Sequence, residues 1–183
     1  MNSTFALSIM TRDRVGIVAD ITTALRNLNG NLADLSQTVL RGYFTMIVIA
    51  SFPENVSAGD IRAEFATLSG DDPFEVGVKP FEPNKAGTVS AGRTSRHVLS
   101  VSGPDRVGFV AAVSQELVRW SINIDDIAST VRDGQYVMFL LLELPVDLSM
   151  NDFRKGLDAA TADIGAVYQL QHDDIFRATN EIG

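Results

Sequence analysis

Asp13-Arg14-Val15-Gly16-Ile17-Val18-Ala19 returns 92 positions later as Asp105-Arg106-Val107-Gly108-Phe109-Val110-Ala111. The same offset holds without a gap far downstream. Leu25 falls on Leu117, Asn31 on Asn123, Asp34 on Asp126, Gly42 on Gly134, Met46 on Met138 and Pro53 on Pro145. Two copies of one unit of roughly 90 residues therefore account for the sequence, and no separate catalytic domain is expected within it.

The first copy opens with Phe5, Leu7 and Ile9 alternating with Ala6, Ser8 and Met10, the period of a strand with one buried face. Val15, Val18, Ile21, Leu25 and Leu28 then recur at helical steps. Asp13 stands at the expected N-cap of that helix, and Asn29-Gly30-Asn31 at its stop. Residues 32–40 and 44–52 read as two strands joined by a hairpin at Arg41-Gly42-Tyr43. The second of these is apolar almost throughout, as a central strand covered by helices would be. Residues 57–69 read as a helix with Ile61, Phe65 and Leu68 on one face, and Phe74, Val76 and Val78 as a last strand.

The second copy repeats this order. Leu99 and Val101 begin it, Val107, Val110, Val113, Leu117 and Trp120 stripe its first helix, and 124–131 and 136–144 pair around Asp133-Gly134. Residues 148–164 form its second helix, and 167–170 start the last strand. The class is α+β: two ferredoxin-like β-α-β-β-α-β domains, each an antiparallel sheet with two helices on one face. The expected domains are 1–81 and 96–183. The Gly-, Ser-, Thr- and Pro-rich stretch 82–95, without periodicity, is the linker between them.

Fifteen basic against 23 acidic residues, a net charge of −8, oppose binding to a phosphate backbone. Arg41-Gly42-Tyr43-Phe44 superficially fits the basic-Gly-aromatic strand of RNA-recognition modules, which share this strand order. Phe44 stands where a small residue is needed and Thr45 where an aromatic is needed, so no direct nucleic-acid binding is expected. Without cysteine there are no disulfides or thiolate metal sites. The longest clean apolar run, Val137 to Leu142, is far too short to cross a bilayer. No signal peptide is recognised, so a cytoplasmic protein without membrane contact is expected.

The turn between first strand and first helix is the leading candidate for chemistry. A helix N-terminus offers free N–H groups and a positive dipole end, and a glycine beside it admits a carboxylate. Asp13 or Asp105 would accept from a ligand ammonium. Asn31 and Asn123 would add an amide on the same rim if strand pairing brings the loops together. The plainer readings are an N-cap for the aspartates, close helix packing for Gly16 and Gly108, and ordinary turns for the asparagines. His172 beside Asp173-Asp174 has the makings of a one-histidine, two-carboxylate metal site. An exposed strand end is the plainer reading for His172, and a strand start for His97. No metal, cofactor or catalytic constellation is expected.

Asp-Arg-Val-Gly before a Val/Ala-striped helix, then Asn, a strand, a Gly hairpin and an apolar strand ending in Pro, resembles the ACT domain in both halves. The run Gly103 to Ser114 is most similar to the subgroup of the glycine cleavage system transcriptional repressor and of the N-terminal segment of formyltetrahydrofolate deformylase. The resemblance implies modules that bind a small molecule, typically an amino acid, at the interface of two ACT units. By position the contacts would be Asp13, Arg14, Gly16 and Asn31 in one unit and Asp105, Arg106, Gly108 and Asn123 in the other. Thr11-Arg12 stands where the second unit has Gly103-Pro104, so the first site is expected to differ in shape or not to bind.

The resulting expectation is a non-enzymatic homodimeric regulator that senses an amino acid such as glycine or serine. It would act through a protein partner, a transcriptional activator or an enzyme, in amino-acid or one-carbon metabolism. The alternatives are a regulatory subunit of, or sensor detached from, an amino-acid or folate enzyme, and a ligand-free dimerisation module.

Overall fold

Alternation of apolar and polar residues makes Asn2–Arg12 the first strand, β1, with Phe5, Leu7 and Ile9 buried on one face. In this computed structural model, residues 2–68, 72–82 and 94–180 are described. The first unit continues with α1 (Ile17–Asn27), β2 (Asn31–Leu40), β3 (Tyr43–Pro53), α2 (Ala58–Ala66) and β4 (Glu75–Pro80). The second has β5 (Thr94–Pro104), α3 (Phe109–Arg119), β6 (Ile124–Arg132), β7 (Gln135–Pro145), α4 (Met150–Asp163), β8 (Val167–His172) and α5 (Asp173–Asn180). The chain divides into compact units at Met1–Gly87 and Thr88–Gly183. The expected linker lies, at 83–93, outside the described residues, as does Ser69 at the end of the expected second helix.

The sheets run β2-β3-β1-β4 and β6-β7-β5-β8, antiparallel throughout, which is the ferredoxin-like topology twice. Register decides the core, because residues directly opposite on paired strands share a face. Leu7 lies opposite Val48 and Val78, and Leu99 opposite Leu140 and Leu170, all buried. Ile17, Ile21, Ala24 and Leu25 of α1 and Ile61 and Phe65 of α2 close over the first sheet. Phe109, Val113 and Leu117 of α3 and Phe153 and Leu157 of α4 do the same in the second.

The helices cover one side of each sheet only. Strand β3 is central, as its composition implies, yet Ile47 on its other face is 58% exposed. Its continuous apolar run thus does not mean burial on both sides.

The apolar stripe of α1 keeps Ile21, Leu25 and Leu28 of the expected one and departs from it only at the start. Val15 is 98% exposed and Val18 is exposed, while Ile17 and Ile21 are buried. Val107 is likewise exposed and Val110 only partly buried. The cause is the helix start. The N-cap is Gly16 at φ 91°, with Gly108 at φ 90° in the repeat, and neither helix has a side-chain cap. Asp13 and Asp105, expected as N-caps, fall outside the helix, and so do the valines after them. A left-handed residue at the cap is a conformation that glycine adopts without steric cost.

The helix stop is as expected in the first unit. Asn29 is left-handed at φ 53°, its N–H bonds to the Arg26 carbonyl and that of Gly30 to the Leu25 carbonyl. These two bonds are a Schellman motif. Gly30 is needed there because a Cβ would meet the Phe52 ring and the Leu25 carbonyl.

The second helix of each unit starts on a repeated Ser-Asp pair. The Ser57 hydroxyl donates to Asp60 Oδ2 at 2.6 Å and accepts from the Asp60 N–H, a capping box. Ser149 donates to Asp152 Oδ2 at 2.7 Å, and Lys155 adds a bond at 3.0 Å. The serine hydroxyls, first among several hydrogen bonds, hold both carboxyls below the ordinary carboxylate range.

Two outcomes follow from this geometry. Ile21→Ala lowers unfolding free energy by about 2–5 kcal/mol, whereas Val15→Ala changes it by less than about 0.5 kcal/mol, both measured by urea titration. A folded pKa below the unfolded one gives stability that is present above the unfolded value, near pH 4, and lost as pH falls through the folded value. Asp60→Asn therefore loses stability relative to the parent at neutral pH. The difference shrinks through the acid limb below about pH 4 in pH-dependent melting curves.

Candidate functional site

Each strand-helix turn is tied to the neighbouring hairpin. The Asp13 N–H donates to the Gly42 carbonyl at 2.9 Å, and that of Asp105 to the Gly134 carbonyl at 2.9 Å. The hairpins suit this because both central residues are left-handed, Arg41 and Gly42 in one and Asp133 and Gly134 in the other. One end of each sheet thus brings together an aspartate, a left-handed glycine and the first turn of a helix. The Gly16 carbonyl takes the Asp20 N–H, and the Gly108 carbonyl the Ala112 N–H, as the first bonds of their helices. The N–H groups just before these have no acceptor within the helix, and they sit at the positive end of its dipole.

The carboxylates of Asp13 and Asp105 are exposed and make no hydrogen bond or ion pair with any described residue. Their neighbours differ between the units. Arg14 donates to Asp20 Oδ2 at 2.6 Å, on the first turn of α1, and to the Val15 carbonyl at 3.2 Å. Ala112 replaces Asp20 in the repeat, and Arg106 instead donates to the Asp163 carbonyl at 2.7 Å, at the end of α4. A cation at a helix C-terminus is favourable, so Arg106 is held by α4 while Arg14 stays over its own helix.

The departure at Thr11-Arg12 is one of packing. The Thr11 hydroxyl bonds to the Asp72 carbonyl at 3.3 Å, and the Arg12 guanidinium lies 4.4 Å from the centre of the Tyr43 ring. In the repeat, Gly103 has no room for a side chain beside Ala166 and Phe109. Pro104 and Gln135 replace the Arg12–Tyr43 pair.

Asn31 and Asn123 are not on this rim. Asn31 lies opposite Ser51, which is opposite Thr4, while Asp13 follows Arg12. Eight residues of strand separate the two ends, about 26 Å. Asn123 precedes Ile124, in the row of Leu142 and His97, seven residues from Pro104 or about 23 Å. Strand pairing therefore separates the two sets that the sequence places close together. It brings in the Gly42 and Gly134 hairpins instead. The signal for these was the repetition of both glycines at the common offset, readable as a turn but not as a neighbour of Asp13.

His172 ends β8 half-exposed, and His97 is the fourth residue of β5 rather than its start. Their rings meet edge to face at 5.2 Å. The Asp173 carboxylate accepts twice from Arg177 Nε at 3.1 Å. Among the described residues no three His, Asp or Glu side chains are grouped to hold a metal, and no helix is long and apolar enough to cross a membrane.

The family model of the ACT domain matches residues 3–75. A UPF0237 protein of Methanosarcina acetivorans is 33% identical over 90 residues, which are 49% of this chain and 98% of that one. The chain belongs to the ACT-domain family. A second UPF0237 protein, of Methanocaldococcus jannaschii, is 35% identical over 89 residues, 48% of this chain and 99% of its own length. Both relatives are thus about one ACT unit long.

Solved structures of similar length match the chain across both units. An unknown protein from Galdieria sulphuraria superposes with a TM-score of 0.70 at 25% identity, over 94% of this chain and 99% of that one. A candidate glycine cleavage system transcriptional repressor gives 0.60 at 12% identity over 93% and 97%, a likeness of fold alone.

If the aspartates do not cap the ACT helices, removing them leaves the fold intact. Asp13→Ala and Asp105→Ala shift unfolding free energy by less than about 0.5 kcal/mol. Gly108→Ala, at a left-handed position, costs about 1 kcal/mol, all read by denaturant titration.

Proposed function

We propose that this ACT protein is a non-enzymatic regulator that senses a small amino acid, glycine or serine, and passes its state to a protein partner. The observation that carries this reading is the repeated turn: an exposed aspartate whose carboxylate has no partner among the described residues, and a left-handed glycine at the open end of a helix. A zwitterion needs both charges answered. The helix N–H groups of Ile17–Ala19, or of Val110 and Ala111 where the Phe109 N–H is already held by the Arg106 carbonyl, take its carboxylate, and Asp13 or Asp105 takes its ammonium. Gly16 and Gly108, without side chains, leave the backbone approachable.

Arg14 and Arg106 line the same turns. Arg14 is partly neutralised by Asp20, so the two sites differ in charge. Asn31 and Asn123 join the set only from a second ACT unit, because about 26 Å and 23 Å part them from the turn of their own. On this reading the ligand sits at an ACT–ACT interface, which a homodimer would supply.

The regulated process is transcription of amino-acid or one-carbon metabolism, reached through an activator or enzyme rather than through nucleic acid, consistent with the net charge of −8. Domains 1–81 and 96–183 joined by the linker 82–95 let the ligand favour one arrangement of units. A complete switch from 1:99 to 99:1 needs about 5.5 kcal/mol of differential binding, so one small ligand biases the equilibrium instead. On this reading the regulator acts in the cytoplasm.

A thermal-shift screen against the common amino acids tests the reading, since a ligand that prefers the native state raises the melting temperature. Glycine or serine gives a saturable rise, reduced in Asp105→Ala while its unliganded melting temperature is unchanged. No rise with any amino acid sinks the proposal and leaves a ligand-free dimerisation module. Stoichiometric co-purification of a catalytic chain would favour the regulatory-subunit alternative.

A further inference from the structure

The second copy of the repeat carries two histidines where the first has none. His97 and His172 stand opposite each other on β5 and β8, and the common offset carries them onto Phe5 and Pro80, opposite each other on β1 and β4. The whole row across the sheet is Leu32, Ala50, Phe5 and Pro80 in the first unit and Ile124, Leu142, His97 and His172 in the second. An apolar row serves the fold in one copy, so the fold itself does not call for the imidazoles in the other.

The two ring centres are 5.2 Å apart. A tetrahedral ion about 2.0–2.1 Å from one nitrogen of each of two imidazoles holds their centres about 5 Å apart. The Nδ1 atoms already have partners. The nearer partner of His97 Nδ1 is the Ser95 carbonyl at 3.2 Å, with the Ser95 hydroxyl at 3.4 Å. A carbonyl only accepts, so Nδ1 carries the proton and the lone pair of the neutral ring is on Nε2. His172 Nδ1 accepts from the Asp174 N–H at 3.3 Å and lies 3.4 Å from Asp174 Oδ2. With its proton moved to Nδ1 it donates to that carboxylate, and its Nε2 lone pair is freed. A carbonyl or carboxylate on the far nitrogen is what orients a histidine that ligates metal. Neither Nε2 has a hydrogen-bond partner among the described residues, and neither is sealed from solvent. Asp173 and Asp174 set two carboxylates next to His172 against the one cation of Arg177, a balance that favours a bound cation. Arg96 is exposed and, by strand alternation, on the opposite face of β5 from His97.

We propose that His97 and His172 form a zinc site, each ring binding through Nε2 and water completing the tetrahedron. Imidazole nitrogen selects zinc and its transition-metal neighbours over calcium and magnesium, which take oxygen. Two protein ligands leave two open positions, which is why no cluster of three side chains marks the place. Asp174 is a positioning residue: it holds the His172 ring and does not touch the ion. The ion ties β8 to β5 immediately before α5, and so clamps the end of the second sheet. The site is seven residues along β5 from Pro104, about 23 Å from the turn at Asp105, and shares no residue with it. It therefore stands whether or not that turn binds an amino acid.

The test uses the full chain, free of any affinity tag and stripped of metal by a chelator. Zinc titrated by calorimetry binds saturably at one ion per chain and raises the melting temperature, because it prefers the native state. His97→Phe, which restores the residue of the first unit, and His172→Asn each weaken zinc at least about tenfold, and Asp174→Ala weakens it less. Circular dichroism checks that the variants fold. The chain has only two histidines, so nitrogen NMR of the parent reads both rings without any variant. Zinc shifts the Nε2 resonance of each. Zinc that leaves either ring unshifted overturns the proposal, as does no binding at millimolar zinc or equal affinity in the folded histidine variants. Half an ion per chain, with dimers formed only when zinc is present, also overturns it, since a second copy then supplies the remaining ligands in place of water.

Discussion

The pairing of β1 with β3, and of β5 with β7, is the constraint on which each unit depends. These strands run side by side over their whole length, 11 residues each. A one-residue slip would turn Leu7, Ile9, Met46 and Val48 to the other face and leave the helices nothing to cover. The same register sets Arg12 opposite Tyr43 and Pro104 opposite Gln135, and so brings each hairpin next to the start of the first helix. The bond from the Asp13 or Asp105 N–H to a hairpin carbonyl closes that corner. Core and rim thus follow from one alignment of strands.

Within the rim, the two units share a backbone and differ in charge. A left-handed glycine three residues after the aspartate caps the helix and leaves the carboxylate in solvent. Arg14 is drawn to Asp20, whereas Arg106 is drawn to the end of α4. The ancestral duplication is therefore preserved where the backbone demands it, and has diverged where only side chains meet.

Much of this was legible in the residues. Alternation in β1, the Asn29-Gly30 stop, the Gly42 and Gly134 hairpins and the Pro53 and Pro145 strand ends are local signals, and local energetics decide them. The readings that failed depended on what lies across space. Val15 and Val18 fit a helical stripe, but the stripe is set by where the helix starts, and Gly16 rather than Asp13 starts it. The apolar run of β3 read as that of a central strand covered by helices, yet only one of its faces is covered, because an exposed apolar face and a buried one have the same composition. Helix α5 was missed because its apolar residues, Ile175 and Phe176, are too few to show a period.

By itself the sequence determined the duplication, the element order, the buried alternation of the first strands and the membership that its Asp-Arg-Val-Gly motif signals. Each is written in contiguous residues or in a repeat at constant spacing. Only the tertiary structure decided which loops share a rim, since antiparallel pairing carries Asn31 to the far end of the sheet from Asp13 and brings Gly42 beside it. It alone decided, too, that α5 packs on the outer face of the second sheet, because burial depends on what packs across the surface rather than on the strand that presents it.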